Sequence, residues 1–375
     1  MANTFLSPDI IAKEALMILR SNCVAASLVY RDHSAEFTGT KVGDTVTIRK
    51  PSTFEAKEFK GTVEMQDANE SGVALTLEKH FDVSVALSSK DMTLELQDFS
   101  AQIVAPAVAA IAEKVDAYVL SQYVGIPTFV GSVGAAPSTL SSLAAVDRVM
   151  NERRIPVAGR CAVVSPVQKE GMFNIPEVAR ADARGDEGTA LREASMGRIM
   201  GIDWYLDQNG QRHVSGDASV STVRDDTPAG STQLPVSLAT GQGVKKGDII
   251  TIDGIDDPET GEPATFVIQR DEKYSEPLQI YPALPVDVAS GTAVSLALEG
   301  TYTNGLAFVK NAFALAVAPL ELPAGAGHAA AVNFEGLAIR VVYDYDINTK
   351  TDTISFDLLC GAKCIDPRLA VRIIS

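Results

Sequence analysis

The most regular pattern of the chain runs from Leu94 to Tyr123, where apolar residues recur at steps of three and four positions. The apolar side consists of Leu96, Phe99, Ile103, Ala107, Ala110, Ile111, Val115 and Tyr118. This period, preceded by Thr93 as a capping residue, predicts one long amphipathic helix. Pro106 falls in its middle and removes a backbone donor, so we expect a bend there. Five charged residues interrupt the apolar run, which excludes a membrane-spanning helix.

Patterns on the N-terminal side predict a helical arm followed by a ribbon. Residues 1–22 have the spacing of an amphipathic helix, with Pro8 in its first turn. Residues 37–90 alternate apolar and polar side chains at both ends, which predicts two strands joined by a long polar tip. Because an isolated two-stranded ribbon is marginal in water, we expect it to bury its apolar side chains against a further surface.

The remainder of the chain predicts mixed helix and strand with an all-β insertion. A helix is expected over Leu140–Asn151 and a buried strand over Cys161–Val164. Residues 207–302 consist of short period-two runs separated by Gly, Pro and Asp, which predicts a small antiparallel barrel or sandwich. A hairpin follows, with its turn at 348–351, and the run 366–375 is predicted as a short edge strand.

Charge and composition narrow the classes of function. The formal net charge is −16 over 375 residues, and the pI is near 4.7. A chain this acidic repels nucleic-acid phosphates and anionic lipids. We therefore expect neither sequence-specific nucleic-acid binding nor membrane binding. Hydrophobic residues make up 46% of the chain, which indicates a folded protein. The N-terminus lacks the pattern of a signal peptide, and we expect synthesis and folding in a cytoplasm.

The chain contains no recognisable catalytic motif. None of the four histidines lies in a metalloprotease motif or beside a nucleophile motif, and phosphate-loop and dinucleotide fingerprints are absent from the sequence. Cys360 and Cys364 have a C-x₃-C spacing without a second Cys/His pair, so free thiols are favoured over a zinc site. We therefore predict no catalytic residue, no cofactor and no metal ligand.

Two charged clusters leave alternatives open. The carboxylates between Asp253 and Glu262 either attract a cation or lie solvated in a turn. The basic group of Arg153, Arg154 and Arg160 either contacts another subunit or pairs with carboxylates.

The order of these parts resembles that of the major capsid proteins of tailed double-stranded-DNA bacteriophages, which share the Hong Kong 97-type fold. The resemblance rests on the arm, the ribbon, the helix DFSAQIVAPAVAAIAEKVDAYVL and the terminal run DLLCGAKCIDPRLAVRI. It implies an α+β chain with an inserted antiparallel β-barrel, similar to that of certain short-tailed-phage coat proteins. The implied parts are an N-terminal arm (1–36), an extended-loop ribbon (37–90), a peripheral domain with the spine helix (91–124 and 325–375), an axial domain (125–206 and 303–324) and the inserted β domain (207–302).

The resemblance implies a structural role and a set of partners. Such a chain forms hexamers and pentamers that build an icosahedral shell around double-stranded DNA, which it encloses without sequence-specific binding. Scaffolding protein and portal take part in assembly of a precursor shell, which then expands. The expected location is the virion capsid, assembled in the host bacterial cytoplasm. The negative charge suits a wall that must not grip the packaged DNA.

Five residues are predicted to serve assembly. Phe54 and Phe59 alternate with Lys57 and Lys60 in a charged stretch without apolar partners in its own ribbon. This pattern suits an extended-loop tip that contacts a neighbouring subunit, with rings as anchors and charges setting the register. Isolated surface aromatics are also common, and that interpretation stays open. Pro106 is expected to be the hinge at which the spine helix adapts between shell states.

Two other functions are compatible with parts of the pattern. An encapsulin-like nanocompartment would use the same fold to enclose cargo enzymes, and a peptide-binding groove for cargo would favour it. A hydrolase or carbohydrate-active enzyme with a β accessory domain would require a cleft with paired acids of shifted pKa.

Overall fold

The computed structural model divides the chain into two compact units built from segments distant in sequence. Unit 1 takes its described residues from Met1–Arg20, Arg31–Ile111 and Ala314–Ile365, and unit 2 takes its own from Ser21–Tyr30, Ala112–Phe313 and Asp366–Ser375. The residues that the structure describes are 8–31, 45–50, 65, 71–88, 100–180, 193–217, 220–238, 242–258, 260–273, 276–318, 320–323, 328–334, 336–347 and 351–375.

Two of the helices begin where the local sequence signals predict, at Pro8 and at Leu140. The helices are α1 (Pro8–Asn22), α2 (Ala25–Leu28), α3 (Ala105–Leu120), α4 (Leu140–Glu152), α5 (Pro166–Phe173) and α6 (Pro176–Ala179). Proline is the first residue of α1, α5 and α6, because its missing N–H has no intrahelical acceptor there. Thr139 and Ser165 close capping boxes at α4 and α5. Among the described residues, no helix is both long and apolar enough to cross a membrane.

The long helix is not α-helical throughout. A π-helical turn over Ser100–Val104 precedes α3, and a 3₁₀ turn over Ser121–Gly125 follows it. The predicted first turns, residues 94–99, lie outside the described part of the chain. Where the helix is described, Ile103, Ala107, Ile111 and Val115 of the predicted apolar side are buried. Ala110, predicted on the same side, is exposed, and Tyr118 is half-buried.

The strands form three larger sheets and two short pairs. In chain order they are β1 (Thr45–Lys50), β2 (Ser71–Thr76), β3 (Lys79–Ser88), β4 (Phe129–Gly131), β5 (Arg160–Val164), β6 (Arg198–Ile199), β7 (Ile202–Leu206), β8 (Gln211–Val214), β9 (Val220–Val223), β10 (Gln233–Leu234), β11 (Val236–Ser237), β12 (Gly243–Val244), β13 (Ile249–Asp256), β14 (Pro263–Ile268), β15 (Glu272–Lys273), β16 (Leu278–Tyr281), β17 (Ala293–Leu296), β18 (Thr301–Val309), β19 (Phe313–Ala318), β20 (His328–Phe334), β21 (Leu337–Asp346), β22 (Thr351–Cys364) and β23 (Ala370–Ile374).

The sheet of unit 1 confirms the terminal hairpin and corrects the ribbon. β21 and β22 pair antiparallel from Arg340↔Asp357 to Asp346↔Thr351. β1 pairs only with β2, whereas β3, predicted as part of the same ribbon, pairs with β22 over ten positions. The alternation in β3 identifies its apolar side correctly. It does not identify the neighbouring strand, because the partner lies more than 260 residues away.

The main sheet of unit 2 corrects the predicted end of the chain. Its order is β4-β23-β18-β5-β7-β6, with β8 also paired to β18. β23 was predicted as an edge strand of the peripheral part, but it lies between β4 and β18 and all five of its residues are buried. The apolar run 305–318 likewise splits, since a 3₁₀ turn over Lys310–Ala312 separates β18 from β19, which belongs to the sheet of unit 1.

A third sheet lies within the stretch predicted as an insertion. Its order is β10-β16-β14-β13-β17-β9-β11, with every pairing antiparallel. The two ends of this order, β10 and β11, are consecutive in the chain and separated only by Pro235. The sheet has its own buried core, which includes Val223, Ile252, Phe266 and Ile280. β8, which the predicted boundaries assigned here, instead extends the main sheet of unit 2.

Candidate functional site

The four predicted contact residues of the ribbon tip, Phe54, Lys57, Phe59 and Lys60, lie outside the described residues. Their role remains a prediction. The base of the ribbon is described: β1 and β2 pair in register from Thr45↔Thr76 to Lys50↔Ser71. Ile48 and Leu75 are buried there against alanines of β19.

Pro106 lies at the junction of two helical forms. The π turn ends at Val104, α3 begins at Ala105, and Pro106 is the second residue of α3. Its ring is on the exposed side of the helix, while the next residue, Ala107, is buried. Proline lacks the N–H that would donate to the carbonyl four residues earlier, and π turns often accompany kinks. The helix therefore changes form at the proline, instead of running through it as one α-helix.

Asp116 is a buried carboxylate on α3 that the sequence had shown only as an interruption of the apolar run. Only 2% of it is exposed. Its oxygens accept hydrogen bonds from the backbone N–H of Val24, at 2.6 Å, and of Ala26, at 2.8 Å. Asp116 thus caps α2, which has no side-chain cap of its own. Burial raises the pKa of Asp116 to about 6, against the opposing effect of these hydrogen bonds.

This shift predicts a pH dependence of stability. The folded chain holds the Asp116 proton more tightly than the unfolded chain, whose pKa is near the ordinary value of 3.8. The contribution of the Asp116 carboxyl to the free energy of unfolding is therefore largest below pH 4. It declines by about 3 kcal/mol as the pH rises to and past 6.

The measurement is urea unfolding of the wild type and of Asp116→Asn between pH 4 and 7.5. We expect the wild type to lose stability relative to Asp116→Asn as the pH rises. The exposed Asp225→Asn is the control and should show no such trend. A difference between wild type and Asp116→Asn that stays constant with pH would contradict the assignment.

The basic group of arginines pairs with carboxylates of its own chain. Arg160 is 2% exposed, and its guanidinium donates to Asp147, at 2.8 Å, to Asn151, at 2.8 Å, and to the carbonyls of Ile155 and Pro156. It is therefore a core residue and not part of a surface patch.

Two carboxylates of the acidic cluster pair with arginines near the end of α4. Arg153, from the end of α4, forms an ion pair with Asp257, and Arg148 lies 3.3 Å from Glu262. Within the described parts of the chain, no group of three or more His, Cys, Asp or Glu residues is arranged to hold a metal ion. The structure thus favours carboxylate–arginine pairing over a cation site.

Cys161 and Cys360 are buried cysteines in the thiol form. Burial raises the pKa of Cys161 and of Cys360 to about 12, which keeps both protonated.

One cavity has the paired acids that the hydrolase hypothesis requires. It measures about 840 Å³ and is lined by residues that include Asp217, Lys245, Glu272 and Glu276. Burial, followed by a hydrogen bond with Glu276, raises the pKa of Glu272. Glycosidases, however, hold their two carboxyls roughly 5 Å or more apart to flank a substrate bond. Glu272 and Glu276 are instead hydrogen-bonded to each other, and Glu272 is only 3% exposed. Their carboxyls are therefore too close together to flank a substrate bond.

Comparisons with known proteins show a shared fold. No family model matches the chain, and no curated protein matches its sequence. A solved chain of Mycobacterium phage Che8 aligns with 94% of this chain and 90% of its own length, at a TM-score of 0.53 and 15% identity. The capsid of cyanophage P-SCSP1u aligns over 90% and 84% at a TM-score of 0.47 and 11% identity. The mature capsid of bacteriophage PhiM1 aligns over 100% and 89% at a TM-score of 0.47 and 10% identity.

At these identities the comparison concerns the fold alone. The Che8 match spans nearly the full length of both chains. It confirms a mixed helix-and-sheet fold shared with a phage protein, as the order of the parts implied.

Proposed function

We propose that this chain is the major capsid protein of a tailed double-stranded-DNA phage, and that it assembles as hexamers and pentamers into an icosahedral shell. The observation that carries the proposal is the full-length match to the Che8 phage chain. The net charge of −16 suits a wall that encloses DNA without gripping it.

The parts of the chain take the following roles in this proposal. The ribbon based on β1 and β2 is the extended loop, and the long helix is the spine. The sheet of β19 to β22 with β3 belongs to the peripheral domain, and the sheet around β18 to the axial domain. The antiparallel sheet of residues 220–296 is the inserted domain, a barrel closed where β10 and β11 meet at Pro235. Scaffolding protein and portal assist assembly in the host cytoplasm, and the shell then expands.

The direct test is assembly of the purified chain. We expect closed shells or capsomer-sized oligomers in negative-stain micrographs and in sedimentation velocity, with the yield raised by a co-produced scaffolding protein. A two-stranded ribbon is marginal by itself and gains burial on a neighbouring copy, and symmetric repetition closes the shell. A stable monomer over a wide concentration range, with and without scaffolding protein, would contradict the proposal.

The hinge at Pro106 can be tested in assembled shells. Pro106→Ala supplies the missing donor and removes the ring clash, so we expect the preceding π turn to adopt α register. Shell shape or expansion should change, with little change in the far-UV spectrum. Pro166→Ala is the matched control, because the first residue of a helix has no intrahelical acceptor for its N–H. Wild-type shell geometry and expansion in Pro106→Ala would remove the hinge role and leave the fold intact.

The inserted domain is expected to fold by itself. Its apolar core is formed by its own strands, from Val223 to Leu296. The excised segment 217–300, which omits β8 and β18, should therefore give dispersed amide resonances and a cooperative thermal transition. A collapsed amide spectrum would show that these boundaries, or the assignment as a domain, are wrong.

A further inference from the structure

Three buried side chains form a continuous hydrogen-bonded chain from the end of the long helix to the inserted sheet. Tyr123 lies in the 3₁₀ turn that ends the helix, His213 lies on β8, and Asp248 lies in the turn before β13. The Tyr123 hydroxyl is 2.8 Å from Nδ1 of His213, and Nε2 of His213 is 2.7 Å from Oδ1 of Asp248. All three residues are at least nine-tenths buried. We call this set the buried joint.

Both ring nitrogens of His213 have a polar partner in the buried joint, Nδ1 in the Tyr123 hydroxyl and Nε2 in the Asp248 carboxyl. Burial raises the pKa of Tyr123, so its hydroxyl keeps its proton. The second carboxylate oxygen of Asp248 accepts from the backbone N–H of Gly216, at 3.0 Å, and of Lys245, at 2.7 Å. A buried network whose members are all satisfied favours a single geometry.

The turn that carries Asp248 is also held from the C-terminal strand. Arg372 on β23 is fully buried, and its Nη1 donates to the carbonyl of Gly247 at 2.8 Å. The guanidinium carbon of Arg372 lies 5.1 Å from the centroid of the Tyr123 ring. Gly247 has a φ of +95°, and a Cβ there would lie 3.0 Å from Cγ1 of Val124, next to Tyr123. The turn and the helix end therefore fit together closely, in backbone as well as in side chains.

A second contact joins the inserted sheet to α4. The ion pairs Arg148–Glu262 and Arg153–Asp257 link α4 and the residue after it to the β13–β14 hairpin of the insertion. Arg148 and Glu262 are exposed, and salt screens such pairs. The buried joint and the largely buried Arg153–Asp257 pair are shielded from salt, so we expect these two contacts to persist at high ionic strength.

We propose that Tyr123, His213 and Asp248 are positioning residues that fix the inserted sheet rigidly to the end of the long helix. The sheet then moves with the helix end as one body, although its core is independent. This consequence for assembly rests on the proposed function: when the shell expands, a displacement of the helix end would carry the inserted domain with it. Two packed arrangements linked through such a rigid element are a general means of transmitting a change between distant surfaces.

Two tyrosines next to His213 provide a matched pair of variants. The ring of Tyr302 lies 5.2 Å from that of His213, but its buried hydroxyl has no hydrogen-bond partner in the described structure. Tyr123→Phe and Tyr302→Phe each remove one buried hydroxyl and keep the ring. Only Tyr123→Phe breaks the buried joint, and it leaves Nδ1 of His213 buried without its hydrogen-bond partner. We therefore expect Tyr123→Phe to be the more unfavourable change.

The measurement is hydrogen exchange by mass spectrometry on the full-length unassembled chain at low and high salt. We expect Tyr123→Phe to raise the exchange rate at least tenfold in peptides covering 211–217 and 243–252, with a larger increase at high salt. Tyr302→Phe should change the exchange rate of the same peptides less than twofold. Peptides covering 313–318 serve as the internal reference and should not change. The double variant Tyr123→Phe with Asp248→Asn should exchange no faster than Asp248→Asn alone, because both break one network.

Three results would overturn the proposal. Equal effects of the two tyrosine variants would show that ring packing, and not the buried joint, holds the insertion. A rise at 313–318 equal to that at 243–252 would show general destabilisation. Additive effects in the double variant would show that the residues act separately.

If no shells form, the proposed function fails, but the exchange result still decides whether the buried joint exists. If shells form, the orientation of the insertion relative to the helix end should be the same before and after expansion.

Discussion

Phe54→Ala combined with Phe59→Ala is expected to remove most of the shell yield while leaving the unassembled subunit folded. The two residues fall in the charged stretch that is predicted to be the tip of the ribbon, and the sequence of that stretch offers them few apolar partners. Aromatic anchors at protein interfaces commonly contribute about 2 kcal/mol or more each, and a shell repeats the contact in every subunit. Shell yield by sedimentation and the thermal unfolding of unassembled subunits are the two measurements.

Matched variants separate the aromatic part of this contact from the ionic part. Phe54→Leu with Phe59→Leu keeps most of the apolar area and should retain an intermediate yield. Lys57→Gln with Lys60→Gln should weaken assembly mainly at low salt, since charges at an interface act through register and association rate. Full shell yield from a normally folded Ala double variant would remove the tip from the interface. A collapse of subunit stability would show that the rings belong to the core.

Arg160→Ala is expected to lower the free energy of unfolding by about 3–5 kcal/mol, the range for removing one partner of a buried ion pair. The guanidinium satisfies Asp147, Asn151 and two backbone carbonyls at the end of α4. Its loss leaves these groups without their donors and opens a cavity beside β5. Urea unfolding of the unassembled subunit at neutral pH measures the change.

Arg198→Ala is the control for this effect. Arg198 is 62% exposed, and its nearest carboxylate, on Asp203, is 3.8 Å away. Such a pair contributes between 0 and about 1 kcal/mol. A loss in Arg160→Ala no larger than that in Arg198→Ala would show that the buried arginine is not a stabilising member of the core.

Local signals predicted the elements that depend on neighbours in sequence. The start of α1 at Pro8, the boundaries of α4 and the antiparallel pairing of β21 with β22 follow from caps, periodicity and a short turn. The order of these elements was enough to imply the fold, because an ordered set of parts is more specific than any one of them.

The buried polar residues were not predictable in this way. Asp116 appeared as an interruption of an apolar face, Arg160 as part of a surface patch, and His213 as one of four isolated histidines. Each acquires its role from a partner more than ten residues away: Asp116 from Val24, Arg160 from Asp147 and His213 from Asp248. The available signal was a charged residue at a position of the apolar period, which indicates burial but does not name the partner.

The sequence by itself determined where α1 and α4 begin, which stretches alternate as strands, and in what order these parts occur. Those properties depend on backbone preferences and on side-chain spacing over a few residues. Only the tertiary structure decided that β3 joins β22, that β23 lies inside a sheet, and that the helix end is joined to the inserted sheet through His213. Strand pairing and buried hydrogen bonds depend on the relative free energies of whole arrangements, and a local pattern is compatible with several of them.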